Sequence, residues 1–454
     1  MEKQASHNDL HVAVNNKQIL SIALPITLAI LIPQLNLLIN SVFLGQLSKE
    51  ALGNAGITGV FFLIFALAGN GLNNALQTVF RRCAGADKTE AFGTILSQGI
   101  RISLQFALFG IAFTWLLAPI ILGAVTDPVS FPEEMKFLKI IVLGLPFLYL
   151  FQMGNAFLVS SLNSRLLMVG FLTEALVNIL FDYLLIFGKF GFPNLGFSGA
   201  AVATVLAEIS GLLAVWLVMY KKGLLKKYSL LQNLTYNKKV SKEVFTVAVP
   251  LVLQYMISVT TWLIFFLLIE TKGVVAKAVS NTIRNVYGLA GIFVWAFSST
   301  CNTMVSNLVG QGKTSLVIPL INRITYWSAG SCFIICGLLN IFPGAFFKLF
   351  GQDDAFVAEG IPVIRVVSVG IFFLSIALIW LNGVTGTGKT KVNLLIEIIA
   401  IVIYLCYTFY FMKLHYISLA VAWTNEFVYW SSVFLMSFLY MKSNRWKGAN
   451  AIVT

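Results

Sequence analysis

The run LLMVGFLTEALVNILFDYLLIFG, residues 166–188, decides the fold. As a helix it would be about 34 Å long, enough to cross the roughly 30 Å hydrocarbon core of a bilayer. Its only charged side chains are Glu174 and Asp182. With Asn178 they fall at i, i+4 and i+8, so all three share one narrow stripe of an otherwise apolar cylinder. A water-facing helix would show a broad polar face instead.

Working outward, eleven more runs of this kind appear, and twelve membrane helices are predicted: 18–45, 52–80, 92–124, 136–160, 166–188, 197–220, 243–269, 276–307, 316–347, 357–382, 392–412 and 416–441. The runs are solidly apolar, unlike the alternating ten-residue strands of a membrane barrel. Composition agrees. The chain of 454 residues is 58% hydrophobic and 11% charged, where soluble domains are about a quarter charged. One water-facing globule could not bury that much apolar surface. The fold class expected is therefore an all-α membrane protein.

The net charge of +13 would suggest nucleic acid in a soluble protein. Placed on the spans, it has another meaning. With the N-terminus cytoplasmic, nineteen Lys and Arg fall on the inner side and eight on the outer, the latter being Lys49, Lys136, Lys139, Lys189, Lys272, Lys277, Lys348 and Lys413. The positive-inside rule then puts both termini in the cytoplasm, on the inner membrane. No nucleic-acid partner is needed to explain the charge. Residues 1–17 are polar and the first apolar run is too long for a signal h-region, so the first span is expected to remain as an anchor. The five cysteines, Cys83, Cys301, Cys332, Cys336 and Cys406, lack zinc spacing and read as small buried hydrophobes.

The lysine-rich stretch 221–242 separates six spans from six. The organisation expected is a cytoplasmic tail at 1–17, an N-lobe at 18–220, a cytoplasmic linker at 221–242, a C-lobe at 243–441 and a tail at 442–454. The halves echo each other. Pro25 and Pro250 lie 225 residues apart, as do Gly85 and Gly310. FLKIIVLGLPF at 138–148 parallels VIRVVSVGIFF at 363–373, setting Gly144 against Gly370, and Glu174 lies 223 residues before Glu397. Two pseudo-symmetric six-helix lobes are implied, an arrangement common in transporters.

Ionisable groups at membrane depth are costly and mark function by default. The cluster on the fifth helix is the sharpest. Asp182, flanked by Phe181, Tyr183, Leu184 and Leu185, has to bind a cation, pair with another group or hold a proton. Asn178 one turn away, Thr204 in the sixth span and Asn40 in the first offer further oxygen. Oxygen ligands suit a hard cation such as Na⁺, and the same carboxylate could carry H⁺. Gln152, Asn155, Glu174, Glu397 and Glu426 are candidates for lining a substrate cavity, with interhelical packing the competing reading for the amides. Arg284 reads as a snorkelling side chain. Pro25 and Pro250 interrupt long helices and would kink them.

Residues 383–390, GVTGTGKT, match the P-loop pattern GxxxxGK[ST]. A working P-loop needs a preceding strand and a following helix. Here the motif joins two membrane spans and is read as a tight cytoplasmic turn.

These residues together resemble the multidrug and toxic compound extrusion (MATE) transporters of prokaryotic type, over nearly the whole chain. The likeness rests on ALPITL at 23–28, FLGQLSKEALGNAG at 43–56, GLNNALQTVFRRCAGADK at 71–88, NILFDYLLIFGKFGFPNLGFSGAAVAT at 178–204, VGQGK at 309–313 and GTGKT at 386–390. The resemblance implies two lobes around a central cleft, and export of organic, often cationic compounds driven by Na⁺ or H⁺ entry. It implies a first-lobe cation site at Asn178, Asp182 and Thr204, with Pro25 as the bending proline. Asn40 departs from the family pattern, since many relatives carry Asp there, and one negative charge is lost from the site.

The function expected is a cation-coupled antiporter working by alternating access, as a monomer in the lipid bilayer, with a small organic substrate and no cofactor beyond the coupling ion. A lipid-linked oligosaccharide flippase of related plan is the alternative. It would need a strongly basic cavity, whereas the spans hold few cations, mainly Arg101, Arg284, Arg323 and Arg365. A channel or receptor fits the internal repeat less well. An enzyme is not expected, because no His–carboxylate cluster sits in the spans.

Overall fold

The computed structural model describes residues 10–123, 128–232, 234–270, 272–348, 354–414 and 417–447. Of the two tails expected from the sequence, residues 1–9 and 448–454 lie outside the described residues. The described chain is helical, with no strand. In order the helices are α1 (Asn16–Leu47), α2 (Lys49–Gly85), α3 (Phe92–Gly123), α4 (Phe131–Ile141), α5 (Leu145–Ser160), α6 (Leu167–Phe187), α7 (Phe197–Lys221), α8 (Leu224–Lys227), α9 (Lys238–Glu270), α10 (Val274–Gly310), α11 (Val317–Ile341), α12 (Pro343–Lys348), α13 (Asp354–Gly386), α14 (Thr390–Leu414), α15 (Leu419–Ala422) and α16 (Asn425–Lys442).

Local chemistry explains where the expected spans break. The fourth is divided by a 3₁₀ turn at Val142–Gly144, just before Pro146, whose ring removes a backbone donor and blocks a continuous helix. The ninth ends at Ile341 because Phe342 precedes Pro343 and the α conformation is disfavoured before proline. Among the described residues, eleven helical segments are long and apolar enough to cross a membrane. The twelfth run is split into α15 and α16, and Asn425, Glu426, Ser431, Ser432 and Ser437 dilute its apolar character. Along α3, Leu108, Leu116 and Ile120 recur at multiples of four and are 64%, 70% and 69% exposed. A continuous apolar stripe of this kind suits lipid rather than water.

The described chain divides into two compact units, one formed by Leu10 and Leu24–Met256 and the other by His11–Ala23 together with the described residues from Ile257 to Lys447. Within the first, α6 packs along α7 and α2 along α5. Within the second, α13 is the central element and packs on α10, α11 and α16. The second core is aromatic: buried Trp423 lies edge-on to Phe265 at 5.1 Å and donates its indole N–H to Ser280 Oγ at 3.1 Å.

The internal repeat extends to backbone detail. α2 and α10 are each 37 residues long and begin 225 positions apart. Left-handed residues recur at matching places, Asp87 with Gly312 and Leu162 with Gly388. At the first unit's α5 end, Arg81 donates to the Ser160 carbonyl at 2.8 Å. At the equivalent point of the second, Ser306 donates to the Gly386 carbonyl at 2.8 Å. The P-loop-like GVTGTGKT is the second copy of a turn that FLVSSLNS (157–164) makes in the first. In both, the N–H groups at the helix end bond back to the last turn: Ser161 to Phe157 and Leu162 to Val159, then Thr387 to Gly383 and Gly388 to Thr385. The glycine serves a positive φ of 81° at Gly388, and the motif is a helix–turn–helix with no strand before it.

Candidate functional site: a carboxylate between three helices

The site is assembled from α1, α6 and α7 of the first unit. Asn36 donates from Nδ2 to Asn178 Oδ1 at 2.8 Å. Further along, the Phe43 ring meets Tyr183 at 6.5 Å and Phe187 at 6.0 Å. Residue numbers rise together on both helices, so α1 and α6 run parallel. The register places Asn40 at the depth of Asp182, one turn beyond the Asn36–Asn178 bond.

α7 runs antiparallel to α6. Gly199 abuts the Leu185 carbonyl, where a Cβ would stand 2.7 Å from the oxygen, and Gly211 abuts Glu174, where it would stand 3.1 Å from that residue's Cβ. Glycine and alanine in SGAAVA (198–203) permit this close approach. The residue across from Asp182 is then Ala203, and Thr204 lies next to it. The Thr204 hydroxyl donates to the Ala200 carbonyl at 2.9 Å, leaving its lone pairs available.

The electrostatics of this cluster are distinctive. Asp182 is fully buried, and neither carboxylate oxygen has a hydrogen-bond partner among the described residues. The buried Oδ1 atoms of Asn36 and Asn40 are likewise without donors, as is the Asn178 amide nitrogen without an acceptor. Buried polar groups are otherwise almost always paired. Four uncommitted oxygens on two adjacent helices form a donor set fitted to a hard cation, or to a proton on the carboxylate. Among the described residues no group of three His, Cys, Asp or Glu side chains forms a metal cluster.

The remaining expected residues divide by their bonding. Gln152 is clamped to α2: its Oε1 accepts from Asn73 at 2.7 Å and its Nε2 donates to Asn70 at 3.4 Å. Asn155 is buried with both amide atoms unbonded among the described residues. Glu174 is half-buried beside Gly211. In the second unit the carboxylates are well supplied with donors. Glu397 accepts from the Ser258 and Tyr429 hydroxyls, and Glu426 accepts from Tyr287 and Trp430, both at 3.1 Å. Pro25 lies inside the unbroken α1 with Pro33, and Pro250 inside α9. Arg284 stacks its guanidinium 5.9 Å from the Phe266 ring centre. Four cysteines are buried and Cys406 is exposed.

Two residues were passed over in the sequence reading. Asn36 was readable, since it and Asn40 form an i, i+4 pair that mirrors Asn178 and Asp182. Glu208 is the sole charged residue between 197 and 220. It is 4% exposed, neighbours Glu174 electrostatically, and fills the notch over Gly144.

These features define a multi-pass α-helical membrane protein with a repeated architecture and an uncompensated carboxylate inside one bundle. The chain belongs to the MatE family, the MATE transporters that its sequence resembles: the family model matches residues 25–184 and 247–410, once in each half. Among curated relatives it is 24% identical over 450 residues to the probable multidrug resistance protein NorM of Thermotoga maritima, covering 95% of this chain and 93% of that one. It is 25% identical over 286 residues to the protein of the same name in Listeria monocytogenes, covering 63% of each chain. Solved structures share the fold. The crystal structure of MATE in complex with MaL6 superposes with a TM-score of 0.85 at 16% identity, over 97% of this chain and 99% of that chain. The outward-facing conformation of a multidrug resistance MATE family transporter of the MOP superfamily gives 0.85 at 16% identity, over 98% of this chain and 100% of that one. A MOP superfamily transporter from Pyrococcus furiosus, described as having reversed pocket polarity and a different function, gives 0.84 at 16% identity, over 98% and 99%.

Proposed function

We propose that this chain is a multidrug efflux antiporter that exports organic cationic or amphipathic compounds in exchange for Na⁺ or H⁺. The single observation that carries the reading is Asp182, a carboxylate fully buried at membrane depth with no donor to either oxygen among the described residues. Such a group is costly unless a cation or a proton neutralises it. The names of the relatives, probable multidrug resistance proteins, support the efflux direction.

The mechanism follows from charge. In the outward-open state Asp182 takes up the external cation, with oxygen from Asn36, Asn40 and, at the same depth, Thr204. Neutralising the carboxylate relieves its desolvation and changes how tightly α1 closes on α6. That change is coupled to export only if substrate and cation favour opposite states. Reorientation then releases the cation inward and readmits substrate. The excess of basic residues on one side supports an inner-membrane location with cytoplasmic termini. The acting unit in this reading is a monomer.

Reconstitution into proteoliposomes tests this. A fluorescent organic cation should move when a Na⁺ or an H⁺ gradient is imposed, and Asp182→Asn should abolish the gradient dependence while the protein remains monodisperse. Full gradient-driven movement in Asp182→Asn would overturn the assignment.

A further inference from the structure

A groove of about 600 Å³ lies in the first unit, away from Asp182, between α3 and the start of α9. Its wall on α9 is made by Lys238, Ser241, Lys242 and Phe245, the i, i+3, i+4, i+7 stripe of one helix face. Its wall on α3 is made by Arg101, Leu104 and Gln105, again one face. Tyr236 closes the end, held there because α3 grips the preceding segment: Gln98 donates to the Thr235 carbonyl at 2.9 Å and Arg101 to the Leu234 carbonyl at 2.5 Å. The Arg101 guanidinium also lies 5.8 Å from the Tyr236 ring centre.

Among the described residues, three cations line this groove and no acid does. Two of them, Lys238 and Lys242, also stand where a helix tolerates them least. α9 has no acidic residue in its first turn, yet Lys238, Lys239 and Lys242 crowd its positive end, against the macrodipole. Glu243, the acid next in sequence to Lys242, belongs to the other side of the helix, where Arg82 and Lys88 are its electrostatic neighbours. Among the described residues, no acid is therefore set against the positive charge in the groove.

Both walls change character in the same direction. On α3 the stripe passes from Arg101 to Leu104 and on to Leu108, which is 64% exposed; on α9 it passes from Lys238 and Lys242 to Phe245, 49% exposed. Head-sized cationic space thus grades into exposed apolar surface along two membrane helices. A soluble anion would use the first part only. We infer that this groove binds an acidic phospholipid, its phosphodiester held by Arg101, Lys238 and Lys242 and an acyl chain lying along Leu104, Leu108 and Phe245. Basic pockets at the ends of membrane helices commonly hold anionic headgroups, and this one joins the segment leading out of α8 to the first turn of α9.

Native mass spectrometry of the purified full chain tests the site, using phosphatidylglycerol, phosphatidylcholine of the same chains, and inorganic phosphate. The wild-type protein should retain phosphatidylglycerol at least fivefold over phosphatidylcholine. Arg101→Gln/Lys238→Gln/Lys242→Gln should lose that preference, and Arg101→Lys/Lys238→Arg/Lys242→Arg should keep it, which separates lost charge from lost folding. Equal retention of the two lipids, or an unchanged preference in the glutamine variant, would overturn the inference. Displacement of phosphatidylglycerol by an equal concentration of inorganic phosphate would also overturn it, because the groove would then read phosphate without the chains. Gradient-driven export plays no part in this readout, so the test stands apart from the transport assignment.

Discussion

Asn36 donates its amide hydrogen to the Asn178 side-chain oxygen at 2.8 Å, and this one bond fixes which residues of α1 and α6 share a depth. It engages the Asn178 oxygen and leaves the buried Asn36 oxygen without a donor among the described residues, one turn from the level of Asp182. The bond should therefore matter more to cation binding than to folding, since interhelical hydrogen bonds in membranes are worth about 0.6 kcal/mol on average. Asn36→Ala is expected to lower thermal stability slightly while raising the half-saturating cation concentration at least threefold. The check is a cation titration of melting temperature in detergent. A large loss of stability with unchanged cation dependence would make Asn36 a packing residue only.

Asn40 stands level with Asp182 and supplies a neutral oxygen where a carboxylate would fit. Asn40→Asp adds a negative charge beside a buried one, and attraction between unit charges at 4 Å is about 4 kcal/mol at an effective dielectric of 20. Most of that is offset because two carboxylates this close hold a proton between them in the cation-free state, which the cation has to displace. A residual of about 1.4 kcal/mol corresponds to a tenfold gain in affinity. The variant should bind its coupling ion about tenfold more tightly, read from the same titration. No shift would place Asn40 away from the ion.

The two units treat their carboxylates differently, and that difference predicts different phenotypes. Glu397 is satisfied by Ser258 and Tyr429, so it does structural work that Tyr429→Phe would undo. Leaving a buried acceptor short of a donor costs about 1–3 kcal/mol. Tyr429→Phe is expected to lower the melting temperature and to leave the Na⁺ or H⁺ dependence of transport as in the wild type. Loss of gradient coupling in this variant, at full expression, would show that the second unit also carries the ion.

Much of this was legible in the sequence because bilayers make sequence patterns blunt. Apolar runs gave the spans, and the 225-residue offset of Gly85 and Gly310 anticipated two 37-residue helices in equivalent places. Asp182 stood out in the sequence because a carboxylate among apolar residues has to bind a cation, pair with another group or hold a proton. The partners of Asp182 were harder. Only the register between α1 and α6 brings Asn36 to Asn178, and no periodicity within either helix contains it. Gln152 looked as exposed to substrate as Asn155, yet its amide is bonded at both ends to α2 while Asn155 is unbonded. Glu208 escaped notice because its notch is a glycine 64 positions earlier, in the turn between α4 and α5.

That notch gives a test of packing. A Cβ on Gly144 would overlap the Glu208 carboxylate, and overpacking a well-filled site costs about 1–3 kcal/mol. Gly144→Ala should destabilise by that amount. In Glu208→Ala the space is vacated, so Gly144→Ala should then cost less than about 0.5 kcal/mol, and the cycle should show coupling of the remainder. Additive effects in thermal or denaturant unfolding would mean that α5 and α7 separate freely here.

The final prediction uses the repeat against itself. Leu162 and Gly388 occupy the same turn in the two halves, with φ of 59° and 81°. A side chain in the left-handed region costs about 1–2 kcal/mol, which glycine avoids. The second copy has solved this problem and the first has not. Leu162→Gly should therefore gain up to about 1 kcal/mol, less whatever the half-buried leucine side chain contributes to packing, while Gly388→Leu should lose about 1–2 kcal/mol. The same pair addresses the P-loop likeness. If Gly388 served a phosphate cradle, Mg²⁺–ATP would raise the melting temperature of the wild type and not of Gly388→Leu. The expected result is no shift with nucleotide in either protein and a lower melting temperature in Gly388→Leu, because the glycine answers to backbone geometry and not to a ligand.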